Sequence, residues 1–174
     1  VAMGNANKME IDVASTMSAF GTVTTWNSTT PTSTLFSLGG GGNINTLNEE
    51  CIGYIWTPIE GYSKFDVYNG SGSSDGTFVY TGFSVQWLMV KNKDAGNNWI
   101  IFDAARDPEN DDDMHALYPD SHSEEGGSYK IDLLSNGFKH RDTSGDHNSN
   151  AEFIYMAFAF NPMGGENTPP VTAR

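Results

Sequence analysis

The chain has 174 residues, which is enough for one domain with a substantial core, and it carries a formal net charge of −13. This charge argues against a nucleic-acid partner, because affinity for phosphate backbones comes largely from Lys and Arg. No run of about 18 apolar residues occurs, so we expect no insertion into a membrane. The 19 glycines and the lack of a sustained helical periodicity favour turn-dense β structure with little helix.

The first 50 residues are polar and rich in glycine, and we expect a loop-rich part with edge strands or mobile loops. A Ser/Thr stretch covers Thr22 to Thr34, and a run of four glycines covers Gly39 to Gly42. Such a run costs too much backbone entropy for a strand interior and lacks the Lys-Ser/Thr of a phosphate-binding loop, so it indicates a flexible hairpin tip. The start at Val1 shows no signal-peptide pattern, which indicates a processed product or an excised domain.

Cys51 is the only cysteine, so no intrachain disulfide can form. Its apolar neighbours, Ile52 to Trp56, favour a buried core thiol over a nucleophile, which would need a His or a helix N-terminus beside it. The segment that ends at Trp56 also resembles the segment that ends at Phe158, since each follows an Asn-rich turn and precedes a proline. This weak repeat predicts two equivalent central strands, one in each sheet of a sandwich.

Two strand signals surround a turn between Lys64 and Tyr80. Residues Lys64 to Tyr68 alternate in polarity, and Asn69-Gly70 follows as a dipeptide that tolerates the positive φ of a tight hairpin turn. The stretch from Thr77 to Tyr80 is rich in β-branched and aromatic side chains, which suit a half-buried strand. We therefore expect one strand that runs into a turn and a second strand after it.

The next two strand signals are almost entirely apolar. Val85 to Val90 forms a nearly continuous apolar run, which predicts a strand with both faces covered, and Trp99 to Phe102 has the same character. Between them, Asp94 to Asn98 supplies the residues of a hairpin loop, so the two strands should be antiparallel neighbours. Taken together, the signals predict an all-β fold: an antiparallel β-sandwich, jelly-roll or lectin-like, in one domain over residues 1–174. The last part, 164–174, should be an extended tail.

An ordered series of short motifs carries a family resemblance. In chain order the motifs are EGYSKF (60–65), NGS (69–71), GTFVYTGF (76–83), WLMVK (87–91), DAARDP (103–108), LSNGFK (134–139), YMAFA (155–159) and PPVTAR (169–174). The series covers roughly residues 43 to 174 and resembles a C-terminal β-rich domain of marine bacteriophage tail-fibre and other virion structural proteins, of the cyanophage type. This family often follows a lectin-like sandwich in long fibre proteins.

The resemblance implies a component of the extracellular phage particle, and it supplies no catalytic motif. The function we expect is the distal receptor-binding part, or adhesin, of a tail fibre that attaches to the host surface. Its partners would be copies of itself in a homotrimer, other virion proteins, and a host glycan or outer-membrane receptor. One alternative is a capsid-attached fibre or decoration protein. A less favoured alternative is a tail-spike enzyme that degrades polysaccharide.

Two polar clusters are candidate ligand sites. One is the acidic run made of Asp107, Glu109, Asp111, Asp112 and Asp113, with His115 nearby. Close carboxylates suit Ca²⁺, but the glycine and closing glutamate of an EF-hand are missing, so a solvated acidic loop is favoured. The other cluster joins His140-Arg141-Asp142 to Asp146-His147. Sugar hydroxyls or a metal are possible ligands, but a turn whose Asp and Asn side chains bond their own backbone needs fewer assumptions.

No signature of an enzyme is present, whether a serine nucleophile elbow, a Cys/His signature or a metalloprotease helix motif. Glu50 and Glu152 are better explained as repeated strand-edge positions than as an acid and a nucleophile. We therefore predict no catalytic residue, no metal site and no cofactor, and we leave the binding residues unassigned. Trp26 and Tyr118 lie outside strong strand patterns, and we expect them to be exposed, packing on another subunit rather than stacking on sugar rings.

Overall fold

The computed structural model describes residues 7–19, 25–42, 44–110 and 112–160. Within these ranges the chain forms eleven β-strands and no helix, which confirms the predicted all-β fold. The strands are β1 (Asn7–Lys8), β2 (Ser18–Ala19), β3 (Ser63–Asn69), β4 (Phe78–Tyr80), β5 (Val85–Asn92), β6 (Ile100–Asp103), β7 (Met114–Ala116), β8 (Gly126–Tyr129), β9 (Ile131–Leu134), β10 (Gly137–His140) and β11 (Glu152–Ala159).

Two antiparallel sheets form the sandwich. The larger has four strands in the order β3-β11-β5-β6, and the smaller has three in the order β4-β10-β9. Aromatic side chains join them: the ring of Phe138 in β10 lies 5.4 Å from that of Tyr155 in β11 and 5.7 Å from that of Tyr68 in β3. Two-stranded pairs, β1 with β2 and β7 with β8, complete the described strands.

The core lies between the two sheets and follows from the alternation of side chains along each strand. Leu88 and Val90 in β5, Phe153 in β11 and Phe138 in β10 are completely buried. These residues belong to one continuous cluster that draws on both sheets. The prediction of one domain over residues 1–174 stays a prediction, and the tail at 164–174 lies outside the described residues.

The predicted hairpin between the two apolar strands is confirmed. β5 and β6 are antiparallel neighbours, with Val90 opposite Ile100. The loop between them is held by Asn92, whose side-chain oxygen accepts the backbone amides of Asp94 and Ala95 at 2.9 and 3.1 Å. An Asn side chain that bonds the backbone two and three residues on is what turns the chain here.

The dipeptide Asn69-Gly70 ends a strand as predicted, but it does not make a tight hairpin. β3 pairs with β11, whereas β4 pairs with β10, so the connection crosses from one sheet to the other. A glycine is required at 70 because a Cβ there would collide with the carbonyl oxygen of Ser149. The positive φ of the connection falls at Gly72 instead. The dipeptide thus marks a turn, as predicted. Glycine is needed at position 70 because another part of the backbone lies close to it, not because the turn is a tight hairpin.

The predicted repeat is wrong for its first half. Glu152 to Ala159 is a central strand of the larger sheet, but Cys51 to Trp56 forms no strand and is exposed throughout. Cys51 itself is exposed, so the prediction of a buried thiol is also wrong. An apolar pattern shows that a segment favours burial; it does not specify whether its own chain supplies the cover.

The glycine run is likewise not a hairpin tip, because no strand flanks it within the described ranges 25–42 and 44–62. Gly39 is buried and its amide donates to the carbonyl of Thr25 at 2.7 Å. The amides of Ile44 and Asn45 donate to the carbonyl of Gly41 and close a turn. The loop-rich character predicted for this part is visible here, while Thr22 to Thr24 lie outside the described residues.

Candidate functional site

The histidine-containing cluster lies inside the protein rather than on a binding loop. His140 ends β10 and His147 lies in the following loop, and neither side chain is accessible to solvent. Their Nδ1 atoms are 2.7 Å apart, so one imidazole donates a proton to the other. The ring of His140 also stacks on Tyr68 at 4.9 Å. Both imidazoles are therefore part of the core.

Charged and polar neighbours hold this pair in place. Oδ1 of Asp142 lies 3.2 Å from Nε2 of His147, and the hydroxyl of Tyr68 donates to the carbonyl of His147 at 2.6 Å. Burial, followed by the proximity of His147, lowers the pKa of His140 well below its usual value. Burial alone would raise the pKa of Asp142, but its hydrogen bonds and the charge of His147 bring it to about 2. The pair thus favours a neutral His140 beside an ionised Asp142.

The loop interpretation of this cluster is confirmed. Asp142 accepts the backbone amide of Ser144 at 2.8 Å, and the side chain of Asn148 donates to the carbonyl of Ser73 at 2.8 Å. The hydroxyl of Tyr129 donates to Asp146 at 2.8 Å. In the part of the chain that the structure describes, no group of three or more His, Cys, Asp or Glu side chains is placed to hold a metal ion.

The acidic run does not converge on one point. Asp107 accepts the backbone amide of His115 at 2.9 Å, and Asp112 pairs with Lys130 at 3.1 Å. Glu109 is exposed, and Asp111 lies outside the described residues. The described carboxylates thus contact groups of their own chain or solvent, as in the favoured interpretation of a solvated loop.

The two aromatic residues predicted to be exposed are partly buried. The indole of Trp26 donates to the carbonyl of Asn7 at 3.0 Å. Tyr118 packs against the core, and its hydroxyl lies 3.1 Å from the carbonyl of Gly126 and 3.2 Å from the hydroxyl of Tyr129. Both side chains are thus less exposed than predicted, because each has a polar end that finds a partner within the chain. Their packing on another subunit stays a prediction.

A stretch that we call the apolar segment, Leu47 to Ile59, carries the largest exposed apolar side chains near one another. They are Leu47, Ile52, Tyr54, Ile55, Trp56 and Ile59, each at least half exposed. Ile52 reaches 83% and Tyr54 75%. Between Glu50 and Trp56 the backbone makes no hydrogen bond to any described residue, and the stretch contains no turn or bend. The rings of Tyr54 and Trp56 stack at 6.1 Å, which places residues two apart on one side, as in a strand.

A second apolar surface lies on the side of the four-stranded sheet that faces away from the core, here called the outer face. Its members are Phe65, Val67, Trp87, Met89, Ile101, Ile154, Met156 and Phe158, all partly exposed. One row crosses all four strands, with Phe65 opposite Met156, Met156 opposite Met89, and Met89 opposite Ile101. The outward face of an antiparallel sheet is ordinarily polar, so the apolar character of this face is unusual.

A shallow cleft lies where the apolar segment joins the sandwich. Its volume is about 350 Å³, and Glu60, Lys64 and Tyr80 contribute to its lining. The ammonium of Lys64 donates to the carbonyl of Tyr80 at 2.7 Å and lies 5.7 Å from the centre of its ring. The charge of Lys64 is thus engaged by its own chain.

These features define a class of protein: an antiparallel β-sandwich with two apolar surfaces, the apolar segment and the outer face, that the described residues leave uncovered. The chain belongs to a family described as a domain of unknown function (DUF7483), which matches residues 2–162. No curated protein and no solved structure matches it. Among the described residues no helix is long and apolar enough to span a membrane.

The outer face is the functional feature that the sequence analysis missed. Its signal was present, since the run from Val85 to Val90 predicted a strand covered on both sides. In the structure Leu88 and Val90 are fully buried in the core, whereas Trp87 and Met89 on the other side are only partly buried. The continuous run therefore marks one face covered by the chain itself and one available to a partner.

Proposed function

We propose that the chain is a structural component of a bacteriophage virion, the distal receptor-binding part of a tail fibre, and that it works as a homo-oligomer with three copies. The ordered motif series from Glu60 to Arg174 supports the virion assignment. The observation that carries the oligomer is the pair of uncovered apolar surfaces, the apolar segment and the outer face. A fibre end needs such surfaces, because its copies are held together by apolar burial between chains.

The charge of the chain sharpens this argument. A net charge of −13 keeps separate copies soluble and apart. Yet no carboxylate lies between Cys51 and Pro58, and the central row of the outer face is formed by Phe65, Met156, Met89 and Ile101. The carboxylates nearest to these two surfaces lie at their margins: Glu49 and Glu50 near the start of the segment, and Asp103 opposite Trp87 on the face. The middle of each surface is therefore apolar, as expected when it packs against another chain.

Adhesion would then follow from the number of copies. Several identical weak sites on one symmetric fibre end gain avidity through their effective concentration, so each copy needs only modest affinity for a surface glycan or outer-membrane receptor. The exposed loops between Asn27 and Phe36 and after Asp103 surround the sandwich and are the surfaces available for that contact. No catalytic step is part of this proposal.

The proposal is tested on the phage whose genome encodes the chain. Antibodies against the purified chain, followed by gold-labelled electron microscopy of intact particles, should mark the distal ends of the fibres. Excess purified chain should slow adsorption of the phage to its host, whereas heat-unfolded chain at equal concentration should not. Label on the capsid would support the decoration alternative, and release of oligosaccharide from host polysaccharide would support the enzyme. Particles without label would overturn the virion assignment.

A further inference from the structure

We propose that the apolar segment of one copy packs on the outer face of the four-stranded sheet of a second copy. This inference rests on the self-assembly in the proposed function and names the two surfaces that form the contact. The segment and the face are both apolar, both left uncovered by residues 7–19, 25–42, 44–110 and 112–160, and both supplied by the same chain.

The outer face offers a well-defined platform. Four strands spaced about 4.8 Å apart make its central row roughly 14 Å wide. Phe158 and Trp87 extend the face on one side of that row, with ring centres 5.7 Å apart. On the other side it ends at Lys91, whose ammonium is buried and donates to the carbonyls of Asn92 and Ala95. The platform is therefore aromatic on one side, and on the other side it ends at a buried lysine whose ammonium is hydrogen-bonded to backbone carbonyls.

The segment has dimensions that fit this platform. Six residues from Cys51 to Trp56 span about 20 Å when extended, enough to cross the four strands. Alternation directs the side chains of Ile52, Tyr54 and Trp56 to one side, and the stacked rings of Tyr54 and Trp56 show that this alternation is present. The residues between them, Gly53 and Ile55, are directed to the opposite side.

The exposed apolar area of the segment is large for a single chain. Its six large apolar side chains expose on the order of 800 Å² together, if each has a full surface of about 200 Å². The largest apolar patch on a typical monomer is about 300–600 Å². The three side chains on the side that meets the platform, Ile52, Tyr54 and Trp56, supply about 400 Å² of this area, roughly half of what one partner contributes to a stable protein interface.

A second copy is a better acceptor than the same chain. The segment joins β3 through a tight turn in which Ile59 and Ser63 exchange backbone hydrogen bonds of 3.1 and 2.9 Å. That turn places the segment beside the edge of the sheet, not over the face. To reach its own outer face the chain would need to reverse direction again, which favours the face of a second copy as the acceptor.

The contact is heterologous, because a segment on one copy meets a face on another. Contacts of this kind close into a ring when the rotation between copies permits, and they leave no surface uncovered in a closed ring. A ring of three copies uses three segments and three faces. The contact thus accounts for both apolar surfaces with one interaction.

Cys51 makes the test direct, because it is the only cysteine and lies at the start of the segment. The 174-residue chain with its natural Cys51 and an affinity tag is mixed with an untagged variant that carries Cys51→Ser and Met89→Cys. A short bismaleimide should link the two, and mass spectrometry should identify the peptide joining position 51 to position 89. A second acceptor, Ile154→Cys with Cys51→Ser, guards against misfolding of the first. The matched control is Ser135→Cys with Cys51→Ser, exposed on the opposite sheet.

The expected result is a linked product at least tenfold more abundant for the two outer-face acceptors than for the Ser135→Cys control. Equal yields at all positions, or a dominant link between two Cys51 residues, would overturn the inference. In a separate sample, a chain that carries both Cys51 and Met89→Cys is treated with the same bismaleimide. A link formed within that single chain would also overturn the inference, because the segment would then lie on its own outer face. Light scattering on the same mixture separates the two proposals: a stable oligomer without the link overturns only this contact, whereas a monomer overturns the self-assembly as well.

Discussion

Two stretches of this chain look alike in sequence and differ completely in the fold. Glu152 to Ala159 is a central strand with partners on both sides, whereas Glu50 to Trp56 has no strand partner among the described residues. Each combines a glutamate with alternating aromatic and aliphatic residues. The difference teaches that one pattern serves two kinds of burial: within a chain, where it forms the core, and between chains, where we propose that it forms the interface.

The largest expected effect is a difference in unfolding free energy between substitutions in the two stretches. Phe153 is completely buried in the core, so Phe153→Ala should lower the free energy of unfolding by about 3–5 kcal/mol. Tyr54, which is mostly exposed, should tolerate Tyr54→Ala with a change within about 0.5 kcal/mol in a dilute, unassembled sample. Urea unfolding at low protein concentration measures both. Comparable losses for the two variants would show that the segment packs within its own chain.

A second pair of substitutions makes the same comparison through glycine. Gly70 lies against the turn that leads into β11, and its added Cβ would collide with the carbonyl oxygen of Ser149. Gly70→Ala should therefore cost at least about 2 kcal/mol, since backbone must move. Gly53 in the apolar segment has only the ring of Phe36 within 3.9 Å of such a Cβ, so Gly53→Ala should be nearly neutral. Thermal unfolding followed by circular dichroism distinguishes the two, and an equal drop would argue against the described path of the segment.

Association between copies should depend on the apolar segment rather than on the core. Trp56→Asp places a charge in the proposed interface, and loss of one such anchor should weaken association by at least about 2 kcal/mol, or thirtyfold. Leu35→Asp, at an exposed apolar position outside the segment, serves as the matched control and should leave association unchanged. Sedimentation velocity over a concentration series reports both. Identical association of the two variants would remove Trp56 from the interface.

The most gradual expected effect concerns pH and the buried histidines. Because burial and His147 lower the pKa of His140, the unfolded chain takes up a proton at His140 before the folded chain does. The stability from the neutral imidazole is therefore fully present above about pH 6.5 and declines as the pH falls below it, by up to about 1.4 kcal/mol per pH unit for one proton. Asp142, whose pKa is about 2, adds a loss in the same direction between about pH 4 and pH 2.

Urea midpoints measured from pH 8 to pH 4 test this dependence. His140→Gln should flatten the part just below pH 6.5 whatever its effect on stability at pH 8. A wild-type midpoint that stays level from pH 7 to pH 5 would contradict the buried, neutral state of His140.

The sequence predicted the parts of the fold that depend on neighbours in the chain. The hairpin from Val85 to Phe102 was predictable because apolar strands and a loop rich in Asn, Asp and Gly lie in order. The pairing of β3 with β11 was not, since it joins residues about ninety positions apart and no local signal encodes the partner. His140 and His147 were recognised as part of a polar cluster but not as buried, because the spacing of polar residues does not show which side chains enter the core.

The candidate interface was predictable only in part, for a related reason. The apolar character of Ile52 to Trp56 was plain, and so was that of Val85 to Val90, but hydrophobicity alone does not identify the covering surface. Trp26 and Tyr118 are less exposed than predicted because each polar end has a partner 8 to 19 residues away, Asn7 for the first and Gly126 with Tyr129 for the second.

The most direct test of the central claim is hydroxyl-radical footprinting of the chain at concentrations below and above assembly. Oxidation of Trp56 in the segment and of Met89 and Met156 on the outer face should fall together as copies associate. Tyr80, exposed on the other sheet, should keep its rate. If Trp56 and the two methionines remain as oxidisable in the oligomer as in the monomer, the interface lies elsewhere and the account of the two apolar surfaces is wrong.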